Sequence, residues 1–137
     1  MPQLDRRQAR TLAFLCQYQR QRLPGIAPAE EMLMSSTRIK PKNLEFAQNL
    51  LATVLSRQEE IDRLIQKHSS NWKQSRLLEP LNALLRVSIA ELLAVEEVDD
   101  KVVFNEAIEI CRAYVGEKSI KLLNGILHAV SQEVRSD

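Results

Sequence analysis

Glycine and proline are scarce. Only 3 glycines and 5 prolines in 137 residues leave few tight turns, so long helices are favoured over many short strands. No segment alternates apolar and polar residues convincingly, and there is no internal repeat or low-complexity tract. Cysteine is nearly absent too. Cys16 and Cys111 lie far apart, in no metal-like spacing, each on an apolar helix face. Reduced core thiols in a cytosolic protein are expected, not a disulfide. No apolar run approaches the length of a membrane span. The amino terminus is polar and basic, without a signal-like hydrophobic stretch. A cytoplasmic protein with no membrane partner is expected.

The signatures of catalysis are also missing. His68 and His128 have no second histidine at ligand spacing. There is no glycine-rich phosphate loop and no Gly-x-Ser-x-Gly elbow. The acidic pairs Glu30-Glu31, Glu59-Glu60, Glu96-Glu97 and Asp99-Asp100 are sequence neighbours, which point about 100° apart on a helix. They read as solvated surface. No enzyme, metal or cofactor is expected.

The composition is that of a globular protein, 45% hydrophobic and 27% charged. The length suits one domain over residues 1–137. The net charge of +1 excludes little; its distribution says more.

Apolar spacing predicts an all-α fold of about six to seven helices. A first helix runs from about Leu4 to Gln19, with Asp5 near its start and Ala9, Leu12, Ala13 and Cys16 inward. Pro24-Gly25 ends it, and Pro28 opens a short second helix to about Met34. Residues 35–41 read as a loop. A long third helix puts Leu44, Ala47, Leu51, Val54, Leu55, Ile61 and Ile65 inward. After a break at Asn71 to Ser75, the fourth helix carries Leu81, Leu84, Leu85, Ile89, Leu92 and Leu93, with Pro80 near its first turn. Glu96 to Asp100 is an acidic connection before two final helices.

The run from Lys101 to Leu127 is the most informative. Asn124-Gly125 would be a hairpin turn between strands. Ile120, Leu123, Leu127, Val130 and Val134 recur at helical spacing, so the pair lies inside a helix. Glycine there costs about 1 kcal/mol relative to alanine, and close approach of another helix is the expected reason. Asn105 and Asn124 are then candidates for a buried polar contact between two helices.

Arg6, Arg7 and Arg10 form a compact cationic face by three- and four-residue spacing, bordered by Phe14 and Tyr18. Guanidinium donors suit phosphates and base edges. Lys118 and Lys121 flank the start of the last helix, with Ser119 as its cap and a possible phosphate donor. The two groups merge into one stripe if the first and last helices pack side by side. From charge alone, a solvated face reads equally well.

Three stretches together carry a family resemblance. Asn105-Glu106-Ala107 is followed by Lys121-Leu122-Leu123-Asn124-Gly125-Ile126-Leu127. Arg6-Arg7-Gln8-Ala9-Arg10 opens the chain. Asn71-Trp72, Arg76-Leu77 and Leu84 to Leu93 lie between. In this order they resemble the NusB family of bacterial transcription antitermination factors, from Arg6 to about Leu127. The resemblance implies a fold of two packed helical halves, with a seam near Asn71. It implies binding of single-stranded boxA RNA through the basic amino-terminal region and the region before the last helix. Arg6, Arg7, Arg10, Lys118, Ser119 and Lys121 are the candidate RNA-binding residues. It also implies pairing with NusE, a small-subunit ribosomal protein, within an RNA polymerase antitermination complex. Phe14, Tyr18 and Arg76 are the candidate partner-binding residues.

The chain departs from the family pattern at several positions. Asp99 replaces a proline. Leu81-Asn82 replaces an acidic-basic pair, which takes charge from the NusE contact. Ala90 replaces a tyrosine. Leu122 replaces an aromatic residue and removes a possible base-stacking surface. Lys118 stands where an acid is common and adds a cation for RNA. Two other readings stay open. One is the RNA-binding domain of an rRNA cytosine methyltransferase, although the chain offers no cofactor-binding segment. The other is a helical protein-interaction module. Monomer and homodimer are both compatible with the sequence.

Overall fold

A computed structural model describes residues 2–23, 39–69 and 73–135, with side chains from residue 6 onward. Among the described residues there are six α-helices and no strand. They are α1 (Pro2–Arg22), α2 (Pro41–Ser56), α3 (Gln58–His68), α4 (Glu79–Ala94), α5 (Asp100–Ile110) and α6 (Ile120–Arg135). Short 3-10 turns at Gln74–Arg76 and Glu117–Ser119 precede α4 and α6. A π turn at Cys111–Val115 extends α5. The expected second helix near Met34, the Pro24-Gly25 stop, Asn71-Trp72 and the Asp5 side chain lie outside the described residues.

The two halves share α4. It packs against α1 and α2 on one side and against α3, α5 and α6 on the other. Its sequence explains this position. Leu81, Leu84, Leu85, Ile89 and Leu92 are all buried, and so are Ala83, Val87, Ser88 and Ala90 between them. A helix apolar nearly all round belongs inside. Pro80 sits in the first turn, where its missing N–H costs nothing. Cys16 and Cys111 are buried thiols of the same core. No described helix is long and apolar enough to cross a membrane.

Two expectations about the third helix fail. It is broken at Arg57 (φ −121°, ψ 27°) into α2 and α3. Ala47, Leu51, Val54, Ile61 and Ile65 are buried as expected, with Leu50 and Leu64 beside them, but Leu55 is 59% exposed. Arg57 also donates to Glu60 at 2.8 Å, so this acidic pair is not simply solvated.

Polar side chains close the helix ends. The Asp99 carboxylate accepts from the Lys101 N–H at 2.9 Å and caps α5, the task a proline would leave undone. Arg135 reaches from the end of α6 to the carboxyl end of α4. Its guanidinium donates to the carbonyls of Leu92 (2.9 Å), Val95 (2.9 Å) and Val98 (2.6 Å). Cations suit this negative end of a helix. Asp62 joins α3 to α4 by accepting from Arg86 at 2.8 Å.

Gly125 does not meet another helix. It is exposed, and a Cβ built there meets nothing within 4 Å. Asn105 is exposed and Asn124 half-buried, so they form no buried polar contact. The buried stripes of α5 and α6 run through Val103, Phe104, Ala107, Leu123, Ile126 and Leu127 instead. The structure gives no account of glycine at this position.

Gly125→Ala is expected to stabilise the fold by about 1 kcal/mol. Arg135→Ala is expected to cost about 1–2 kcal/mol. Urea titrations read both signs.

Two carboxylates are held below their ordinary range. Asp100 is lowered by the Ser131 hydroxyl, which donates at 3.0 Å, and further by Asp99, the Lys101 N–H and the charge of Arg135, against the opposing effect of burial. Glu133 is lowered by Lys67 (2.9 Å) and His68 (2.8 Å). Groups lowered on folding stabilise above their unfolded values and lose that contribution as pH falls through the folded ones. The melting temperature is therefore expected to fall below about pH 4. Glu133→Gln should flatten that fall, and a profile identical to the parent would exclude this contribution.

Candidate nucleic-acid interface

The three amino-terminal arginines are neighbours but differ in exposure: Arg10 shares the Phe46 ring with Arg6 and the Glu106 carboxylate with Arg7. Arg6 lies over the Phe46 ring of α2, its guanidinium carbon 4.0 Å from the ring centroid. Arg7 points toward α5 and is 47% exposed, with its Nε 2.9 Å from Glu106. Arg10 is buried, at 5% exposure. Its Nε donates to Glu91 Oε1 at 2.8 Å and its Nη2 to Oε2 at 2.7 Å. Its Nη1 reaches Glu106 Oε1 at 3.4 Å. The expected solvent-facing trio is thus corrected: Arg10 is a core group. Burial of a charge requires close pairing, and Glu91 supplies it.

Glu106 bridges Arg7 and Arg10, joining α1 to α5. Its hydrogen bond and charge raise the Arg7 pKa and keep it cationic. Glu91 and Glu106 were not singled out from the sequence as partners. The signal was there. Glu91 stands in the apolar run Ile89-Ala90-Glu91-Leu92, and Glu106 shares a helical row with Val103 and Ile110, where a buried charge needs a counter-ion.

The second basic group is where the spacing put it. Lys118 is exposed in the 3-10 turn and Lys121 in the first turn of α6. Ser119, half-buried, directly precedes α6, at the position assigned to a cap. Glu109 and Glu117 are both engaged by Arg112, at 2.8 and 2.9 Å. α1 and α6 are not side by side; α4 lies between them. The basic groups are linked along α5 instead. Arg7 meets Glu106 on α5, and Phe14 meets Tyr114 in the π turn, with ring centroids 5.7 Å apart. The 3-10 turn with Lys118 follows directly.

The partner-binding candidates separate in the same way. Phe14 is 1% exposed and touches no solvent, which corrects its assignment to a surface contact. It supports Tyr18, whose ring stacks on it at 6.3 Å. Tyr18 is half-buried, and its hydroxyl accepts from Arg22 at 2.8 Å. Arg76 is exposed on its 3-10 turn. That turn is anchored by Asn82, which donates to the Gln74 carbonyl at 3.0 Å, and by Gln74, which donates to Asp62 at 2.9 Å. Leu81 and Asn82 are both buried, so neither offers a surface contact, and Asn82 supports the Arg76 turn from beneath. Among the described residues no group of His, Cys, Asp or Glu is disposed to hold a metal ion.

The family model for NusB matches residues 7–132. The chain belongs to the NusB family. It is 38% identical over 132 residues to the transcription antitermination protein NusB of Desulfotalea psychrophila, covering 91% of this chain and 94% of that one. Among solved structures, NusB from T. maritima superposes with a TM-score of 0.84 at 29% identity, covering 93% of this chain and 91% of that one. A NusB bound with NusE and double-stranded RNA superposes at 0.82 with 31% identity, covering 94% and 97%.

Arg7 and Arg10 are expected to separate by measurement. Arg10→Met strands Glu91 and should cost about 3–5 kcal/mol of stability. Arg7→Ala removes a partly exposed pair and should leave the melting temperature nearly unchanged. Equal losses in thermal unfolding would contradict this division.

Proposed function

We propose that this chain is an antitermination adaptor that binds boxA RNA together with NusE. It acts in the cytoplasm as one domain, as part of the RNA polymerase antitermination complex, and supports transcription of ribosomal RNA operons. The reading involves no covalent chemistry and no cofactor. The observation that supports it most is the likeness to the solved assembly of NusB, NusE and RNA. That likeness extends over nearly the whole chain at 31% identity.

The surface chemistry agrees with the reading. Arg7, Lys118 and Lys121 are exposed cations. They suit phosphate neutralisation, and Ser119 adds a neutral hydroxyl beside them. Arg6 contributes through the edge of its guanidinium while its face rests on Phe46. Arg10 acts through Glu106, holding the carboxylate that orients Arg7. Tyr18 and Arg76 form the surface offered to NusE. Exposed Leu78 lies two residues from Arg76.

The test is binding of a labelled boxA RNA across a salt series, with and without NusE. Selective binding that strengthens with NusE is expected. Log affinity should fall linearly with log salt, and Arg7→Ala or Lys121→Ala should each reduce the slope by about 0.7. Binding no tighter than to a scrambled RNA would overturn the proposal. In that case a protein-interaction role for the Tyr18 surface would be the better account.

A further inference from the structure

The π turn at Cys111–Val115 has a consequence for one side chain. The buried stripe of α5 runs Val103, Ala107, Ile110. Continued at α-helical spacing, it would take Tyr114 into the core. The π turn widens the backbone by one residue, closed by the Gly116 N–H donating to the Cys111 carbonyl at 2.8 Å. Tyr114 is left 52% exposed. The turn ends at Gly116 with φ 134°, a conformation that side-chain-bearing residues rarely adopt.

Tyr114 is held as well as exposed. Its ring lies against buried Phe14, with centroids 5.7 Å apart and planes tilted by 55°. Among the described Phe, Tyr and Trp residues it is the one on the exposed surface. It also lies between the two groups of cations. Glu106, which holds Arg7, is eight residues earlier, roughly 12 Å along the helix. Lys118 is four residues later. The half-buried Leu122, where the family carries an aromatic residue, cannot stack on a base.

We propose that Tyr114 is a base-stacking platform for single-stranded RNA, set between Arg7 and Lys118 by the π turn and backed by Phe14. The inference rests on the RNA-binding reading above. An aromatic face takes any base, while flanking cations track the phosphates. The ring therefore supplies affinity without sequence preference, and base-edge contacts elsewhere supply selectivity.

The test compares the parent protein with Tyr114→Phe, Tyr114→Leu and Arg7→Ala on one labelled boxA RNA across a salt series. Leucine keeps cover over Phe14 but offers no π face. Tyr114→Leu is expected to weaken binding about 5- to 100-fold with an unchanged salt slope. Tyr114→Phe should bind within about twofold of the parent, and Arg7→Ala should change the slope. A 5-iodouracil-substituted boxA RNA should photo-crosslink to Tyr114 in the parent protein. Parental affinity in Tyr114→Leu, together with crosslinks elsewhere, would overturn the platform while leaving the RNA-binding reading intact. Loss of NusE binding instead of RNA binding in Tyr114→Leu would also overturn it. If the parent itself does not select boxA RNA, both readings fall.

Discussion

The pairing of Arg10 with Glu91 is the constraint on which the arrangement of helices depends. Arg10 is 5% exposed and Glu91 1%, so neither charge has water to fall back on. An apolar pair of the same volume would contribute as much net stability. What the ion pair adds is register. Sliding α1 by one turn along α4 would strand both charges, at a cost of several kcal/mol. Leucines would tolerate the same slide far better. Glu106 extends the constraint to α5, because it accepts from both Arg10 and Arg7. Three helices are thereby fixed at one level.

With that level set, α1 presents different chemistry on its different sides. Arg6 rests on α2 through Phe46, Arg7 leans on α5, and Phe14 lies buried between two tyrosines. Tyr18 stacks on Phe14 from the side proposed for NusE. Tyr114 meets it from the side proposed for RNA. One buried ring thus supports both surfaces, so a small change in its packing would reach each of them. A bulky side chain at the core is the natural place for such support, since close-packed interiors transmit displacement rather than absorb it.

The sequence made the helices legible because their apolar spacing is strong. The stripe of α1 through Ala9, Leu12, Ala13 and Cys16 is buried as read, and so is that of α6 through Leu123, Leu127 and Val130. The break at Arg57 was hidden because neither glycine nor proline marks it. The basic residues were legible as types and not as positions. Spacing alone puts Arg6, Arg7 and Arg10 on neighbouring rows of one helix. Which row faces solvent depends on Glu91 and Glu106, 81 and 96 residues away from Arg10. The Asn124-Gly125 pair misled for a related reason. Cost in an isolated helix does not reveal what, if anything, the neighbouring helices place against it.

The same long-range pairing bears on how Arg7 could serve a phosphate while already bonded to a carboxylate. A phosphate approaching Arg7 competes with Glu106 for the same donors. Were Glu106 held by Arg7 alone, drawing the arginine away would strand a carboxylate that is 7% exposed. That penalty would oppose binding. Arg10 removes most of it. Its Nη1 already lies 3.4 Å from the other oxygen of Glu106, a long contact with room to shorten. Arg10 remains bidentate to Glu91 throughout, so the core charge stays paired. The buried arginine therefore keeps the exposed one exchangeable, and the core ion pair and the surface cation work as one unit.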